Sequence, residues 1–337
     1  MKRSTLLLAL VAVSASLMTS CRKELCYDHD LHAQKSHIDI HTSWEQEWER
    51  PYGFDWKNNW NSSFEYTYDA LRPAISKGIR VNAYQGDAKR STNIKAEGQR
   101  VVIFSGKQQL LFFNNDTEYI LIDGEDAAAS ASATTRTRTR ASYFADHKNE
   151  NTVNPPDMLY SAYYDGFEMI PQLKPLDFPV TMRPLTYTYW VRYEFESGLQ
   201  YVALARGALS GMAKSVYLHN GATPADEATL LYDAELTAYG ASARFMSFGV
   251  PGLTDGNYAP AADGDGKFNL NLEVRLKNGK MLSYDFDVTD QVKQQPRGGV
   301  ITVTGIVVSD EDGLEGSGGF NPDVDGWGDY EDIEMPF

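Results

Sequence analysis

The sequence predicts an all-β protein, and three observations carry that reading. Apolar side chains alternate with a period of two: Tyr187, Tyr189, Val191, Tyr193 and Phe195 share one face of a segment whose other face holds Thr186, Thr188, Trp190, Arg192 and Glu194. Turn residues recur between short apolar runs, as at Gly86-Asp87, Gly106-Lys107 and Asn114-Asn115-Asp116. The chain also holds 20 Tyr and 6 Trp, and aromatic side chains favour strands.

Composition narrows function before any motif does. Of 337 residues, 42% are hydrophobic and 23% charged, a globular balance in a chain long enough for two domains. A net charge of −15 argues against a nucleic-acid partner, because phosphate neutralisation supplies most of that affinity. It also opposes adsorption on anionic lipid, so a membrane connection is expected to run through the N-terminus.

Residues 1–20 read as a cleaved signal. Lys2 and Arg3 precede an apolar run at 6–13, shorter than the roughly 20 residues that cross a bilayer. Thr19 and Ser20 then stand before Cys21, which resembles a bacterial lipoprotein signal, where the cysteine becomes the acylated first residue of the mature protein. Each buried CH₂ contributes about 0.8 kcal/mol, so two or three palmitate-like chains anchor stably where one would not. Residues 21–36 form a polar tether. With Cys21 acylated, the only other cysteine, Cys26, has no partner in the chain and no disulfide framework is expected. His29, His32, His37 and His41 lie near Asp28 and Asp30 but match no zinc spacing. His37 and His41 alternate with Ile38 and Ile40 along a strand and read as solvated positions.

Beyond an irregular aromatic loop at 44–60, strands are predicted at 78–83, 99–105, 109–114, 118–122 and 158–164. The run Thr134-Thr135-Arg136-Thr137-Arg138-Thr139-Arg140 admits a basic patch, a protease-exposed linker or an edge strand. Thr is β-branched and the period is two, which favours the edge strand, guarded by its arginines. Pro171, Pro175 and Pro179 interrupt regular structure, and the boundary between a first domain at 37–172 and a second at 173–310 is placed there. The hairpin at 267–288 keeps its apolar faces together only with a three-residue turn, Lys277-Asn278-Gly279, which sets Val274 opposite Leu282 and Leu276 opposite Lys280. In the last strand, 298–308, Ile301 and Val303 fall out of phase with Ile306 and Val308, which predicts a bulge at Gly305. Ala208, Leu209, Met212 and Ala213 suggest a short helix within 207–215.

No serine-hydrolase elbow, zinc helix, phosphate-binding loop or Cys-His pair is present, so a non-enzymatic protein is expected. A glycosidase carboxylate pair has no short signature and stays open on this ground. The acidic, glycine-rich tail at 311–337 places Asn321, Asp323, Asp325, Asp329 and Asp332 at positions one, three, five, nine and twelve of a calcium-loop pattern. Pro322, a short Asp at position twelve and the lack of flanking helices leave a solvated acidic tail as the other reading, with no other cofactor expected.

The lipoprotein signal, Asn114-Asn115-Asp116-Thr117-Glu118-Tyr119-Ile120, the Thr-Arg run, Arg206-Gly207-Ala208-Leu209-Ser210-Gly211-Met212-Ala213, Asp287-Val288-Thr289-Asp290 and the Gly318-Gly319-Phe320-Asn321-Pro322-Asp323-Val324-Asp325-Gly326-Trp327 tail together resemble a Bacteroidales lipoprotein family of unknown function, similar to fimbrial anchor and fimbrillin-like proteins. That resemblance implies two tandem transthyretin-like β-sandwiches, lipid attachment to the outer membrane at the cell surface rather than on the periplasmic leaflet, and fimbrial subunits as partners joined by strand addition. Fimbrillin precursors are cut after an N-terminal arginine, whereas the arginines here lie mid-chain, which favours an uncut anchor or accessory subunit. The edge expected to take part is the 298–308 strand, with 311–337 dispensable for folding. The alternative is a glycan-binding surface lipoprotein, in which Trp44, Trp48, Trp56 and Trp60 would stack on sugars instead of stapling the loop to its own domain.

Overall fold

In a computed structural model, which describes residues 34–49, 54–139, 147, 150–254, 266–314 and 332–333, the alternating segments pair into sheets. The first half supplies β1 (His37–Trp44), β2 (Gly78–Gln85), β3 (Ala88–Lys95), β4 (Arg100–Val102), β5 (Gly106–Asn114), β6 (Ile120–Asp123), β7 (Ser132–Thr135), β8 (Thr137–Arg138), β9 (Thr152–Val153), β10 (Tyr160–Met169) and β11 (Leu176–Pro184). The second supplies β12 (Tyr187–Ser197), β13 (Val202–Ala213), β14 (Ser215–Tyr217), β15 (Glu227–Thr237), β16 (Gly240–Ser247), β17 (Asn269–Leu276), β18 (Met281–Asp287), α1 (Thr289–Gln294), β19 (Gly299–Val307), α2 (Asp310–Leu314) and β20 (Asp332–Ile333). The expectation of an all-β, two-sandwich fold holds.

A 7-stranded sheet in the order β3-β2-β5-β10-β11-β1-β4 encloses the first core, built on Ile38, Ile40, Ile79, Val81, Phe112 and Val180. A 10-stranded sheet, with main path β18-β17-β13-β15-β16-β12-β19, encloses the second, where Tyr189, Val191 and Tyr193 meet Leu270, Leu272 and Val274. A 3-stranded sheet, β14-β7-β6, draws strands from both halves. Its Ala133 and Val216 pack with Leu111, Phe113 and Phe248, so the two sandwiches share buried apolar contact.

Two register expectations are met. Val274 lies opposite Leu282, the Leu276 N–H donates to Lys280 O at 2.8 Å, and Gly279 takes the left-handed conformation at φ +87°. In β19, Val303 lies opposite Tyr193 but Ile306 opposite Phe195, so one extra residue is accommodated at Gly305, whose φ is +83°. The bulge returns Ile306 and Val308 to the core that Ile301 and Val303 enter.

Other expectations are corrected. The boundary placed at 172/173 precedes β11, which pairs in parallel with β1 in the first sheet, so the chain changes sheet between Pro184 and Tyr187. Pro179 is tolerated because β11 meets β10 only at Pro184 and Arg183, leaving one side of the strand unpaired where no N–H is needed. Nor is 37–172 self-contained, since β8 and β9 join the second sheet through β15. The Thr-Arg run is not a guarded edge: β7 lies between β6 and β14, and β8 between β9 and β20. The helix expected in 207–215 is the end of β13. There the register shifts between Leu209 and Met212 with Gly211 at φ +82°, and that bulge made alternation look like a helical period.

Candidate functional site

Of the residues singled out by sequence, Cys21, Cys26, His29, His32, Asn321, Asp323, Asp325 and Asp329 lie outside the described residues. Asp332 falls in β20, opposite Arg138 of β8. No group of 3 or more His, Cys, Asp or Glu arranged for a metal occurs among the described residues. His41 is exposed and His37 half-buried, while Ile38 and Ile40 between them are buried, as the alternation predicts.

The tryptophans are brought together as packing. Trp44 meets Tyr160 edge-on at 4.9 Å in the first core. Trp48, wholly buried, joins Trp56, Trp60, Phe64, Tyr66 and Tyr68 around Trp190 and Val300. Trp60 stacks on Trp190 at 6.2 Å, and Phe64 and Tyr66 meet Trp190 edge-on at 5.1 and 5.2 Å. The Arg192 guanidinium lies 4.7 Å over Phe64 and 4.6 Å over Tyr239. The staple is therefore real, but only Trp44 packs on its own domain, while Trp48, Trp56 and Trp60 fasten the loop to the outer face of the second sheet. Sequence alternation marked only one face of β12 as core; Trp190 on the opposite face is equally buried because this loop covers it.

Glu49 sits at the base of the staple, accepting from the Tyr68 hydroxyl at 3.1 Å. Burial pushes its carboxyl up to about 7, the nearby Asp55 and Glu47 add to the rise, and the Tyr68 bond opposes it. A carboxyl whose folded pKa lies above its unfolded value contributes stability that is full below the unfolded pKa and is lost as pH rises through the folded one. The parent is therefore expected to lose melting temperature between pH 4.5 and pH 7, the unfolded and folded values for Glu49, and Glu49→Gln to lose less. Thermal melts across that window check this; parallel curves would contradict it.

Sheet edges present unpaired main-chain donors and acceptors and are the other elements able to carry a contact. On β19, the strand expected to be open, Gln295 bonds both the N–H and the C=O of Val300 at 2.9 Å. Gln291 on α1 does the same for Thr302 at 3.0 Å. Two side-chain amides thus stand where a neighbouring strand would, and Gln295 also accepts from the Trp56 indole at 2.8 Å. The expectation of an open edge here is corrected, since periodicity says nothing of side chains that reach back from the preceding helix. Gln291→Ala combined with Gln295→Ala is expected to cost about 2 kcal/mol and to produce concentration-dependent self-association. Sedimentation velocity reads the second effect; an unchanged monomer would refute the guarding role.

At the opposite edge, β18 pairs only with β17 among the described residues. The bonds Leu276 N–H to Lys280 O and Val288 N–H to Phe268 O fix the alternation, so Leu282, Tyr284 and Phe286 face β17 and Ser283 and Asp285 turn their backbone outward. Those outward groups have no hydrogen-bond partner among the described residues. The tail also takes part in the fold. In α2, Asp312 pairs with Lys280 at 2.8 Å and its carbonyl accepts from Asn278, while β20 extends β8. Removal of 311–337 is thus not neutral for packing.

A family model described as a domain of unknown function, DUF5119, matches residues 68–233. A Bacteroides ovatus protein provisionally named fimbrium anchoring subunit Fim4B is 21% identical over 297 residues, covering 80% of this chain and 87% of that protein. The chain resembles Bacteroidales fimbrial anchor and adhesin proteins. Among solved structures, a provisionally named adhesin from Bacteroides ovatus matches with a TM-score of 0.55 at 17% identity, covering 86% of this chain and 97% of that one, and so shares its fold. The fimbrial anchor protein Mfa2 from Porphyromonas gingivalis matches over 80% of this chain and 90% of that one, at 10% identity and a TM-score of 0.40.

Proposed function

We propose that this chain is a non-enzymatic cell-surface protein that serves as a fimbrial anchor or accessory subunit, held at the outer membrane by lipid on Cys21. The similarity to Fim4B along 80% of the chain carries the reading. The lipoprotein-type leader supports the anchor, and the absence of a helix long and apolar enough to cross a membrane among the described residues is compatible with it. Strand addition is the assembly chemistry, and β18, with outward Ser283 and Asp285, is the edge that offers main-chain groups for it. The glycan-binding alternative is weakened because the tryptophans it would use are engaged in packing.

Purification from the native membrane tests the proposal: the full chain is expected to bring fimbrial subunits with it, and a monomer with no such partner would reject the anchor role. Cys21→Ser is expected to move the protein out of the membrane pellet and abolish labelling by a fatty-acid analogue. Retention of both would reject the lipid anchor.

A further inference from the structure

The turn between β10 and β11 is bare and apolar. Ile170 is 72% exposed, Leu173 58% and Leu176 36%, the first two among the most exposed large apolar side chains described. Single exposed apolar residues are ordinary, whereas a contiguous set marks a contact surface. This turn also receives the N-terminal tether, because Lys35 and Gln172 exchange backbone hydrogen bonds at 3.1 and 3.3 Å. Beside it lies a groove of about 620 Å³ whose walls include Lys35, Arg90, Val102, Phe104 and Pro171 and no carboxylate. The Arg90 guanidinium is held there by a bond to the Ile103 carbonyl at 3.2 Å and by the Phe104 ring at 4.8 Å. Exposed carboxylates flank the turn at Glu168 and Asp177, the latter 3.7 Å from His41, while charges more than about 8–10 Å away are largely screened at physiological salt.

We propose that the β10–β11 turn and its groove form a bilayer-docking surface. Ile170, Leu173 and Leu176 enter the interfacial layer, and Lys35, Lys174 and Arg90 meet lipid phosphates. The inference rests on the acyl anchor at Cys21. Between Cys21 and Gln34 the chain reaches at most about 45 Å at roughly 3.5 Å per residue, so an acylated protein keeps this turn close to lipid. At the high effective concentration such a tether imposes, a weak contact suffices. Apolar side chains with Lys35, Lys174 and Arg90 in the same turn and groove suit an interface where the apolar part is buried and the cations stay at the headgroups. Docking through this turn would fix the orientation of the first sandwich on the membrane, which attachment at Cys21 alone does not.

The test places p-benzoylphenylalanine at Leu173 in the full chain, with a control at Leu236, 43% exposed on β15. Cells are irradiated and the adducts weighed by mass spectrometry. A phospholipid adduct at 173 and none at 236 is the expected result. A second copy of the chain or another protein captured at 173, equal lipid labelling at both positions, or no adduct at 173 would each overturn the proposal. Fractionation of the same samples separates the two readings: membrane-bound protein without a lipid adduct rejects docking alone, while protein found only in the soluble fraction rejects the acyl anchor and docking together.

Discussion

Trp190→Ala is expected to destabilise the protein by about 3–5 kcal/mol, the range for removing a large aromatic side chain from a packed interior. Trp190 stands on β12 between β16 and β19, with Arg244 and Val300 as its cross-strand neighbours. Its ring is the common surface for Trp60, Phe64 and Tyr66 and lies 5.3 Å from the Arg192 guanidinium. Truncation removes the ring's own burial and also the platform on which residues 54–71 rest. Two readouts should therefore move together: the urea midpoint should fall, and limited proteolysis should open between Trp56 and Tyr68 well before the sheets unfold. A loss below about 1 kcal/mol with the loop still protected would mean that the loop is held by Trp48 and Glu49 without Trp190.

Arg206→Ala is expected to cost a similar amount for an electrostatic reason. Arg206 on β13 and Glu273 on β17 are cross-strand partners with side chains only 2% and 0% exposed, and Nε and Nη2 both reach Oε2 at 2.5 Å. Removing one member of a buried pair typically costs about 3–5 kcal/mol, because the remaining charge stays out of water after losing the short Arg206–Glu273 contact. Replacing both is different: Arg206→Met with Glu273→Leu should recover most of the loss, since neither desolvation cost remains. Denaturant unfolding of the two single variants and the double one gives the coupling directly. Additive losses would show that the pair does not act as a unit.

Several features were legible because they are recorded locally. Alternation located β2, β5, β12 and β17, and the need to keep apolar faces together selected the Lys277-Asn278-Gly279 turn and the Gly305 bulge. A period-two pattern states which side chains share a face, and a turn length states the register; both follow from residues adjacent in sequence. A bulge defeats the same logic when its effect imitates another period, as in β13, where the Leu209/Met212 shift looked helical. The helix α1 passed unread, being only 6 residues long, although its Gln291 is one of the two side chains that guard β19.

The sequence by itself determined the all-β class, the two-sandwich expectation through resemblance, and the hairpin register. The tertiary structure alone decided that β8 and β9 serve the second sheet, that the tryptophan loop covers the far face of β12, and that glutamines cap Val300 and Thr302 on β19 while β18 pairs with β17 alone among the described residues. The physical reason is the range of the forces. Side-chain alternation is written within a strand, but which strand pairs beside it and what buries its outer face depend on residues up to 239 positions apart, as for Trp56 and Gln295.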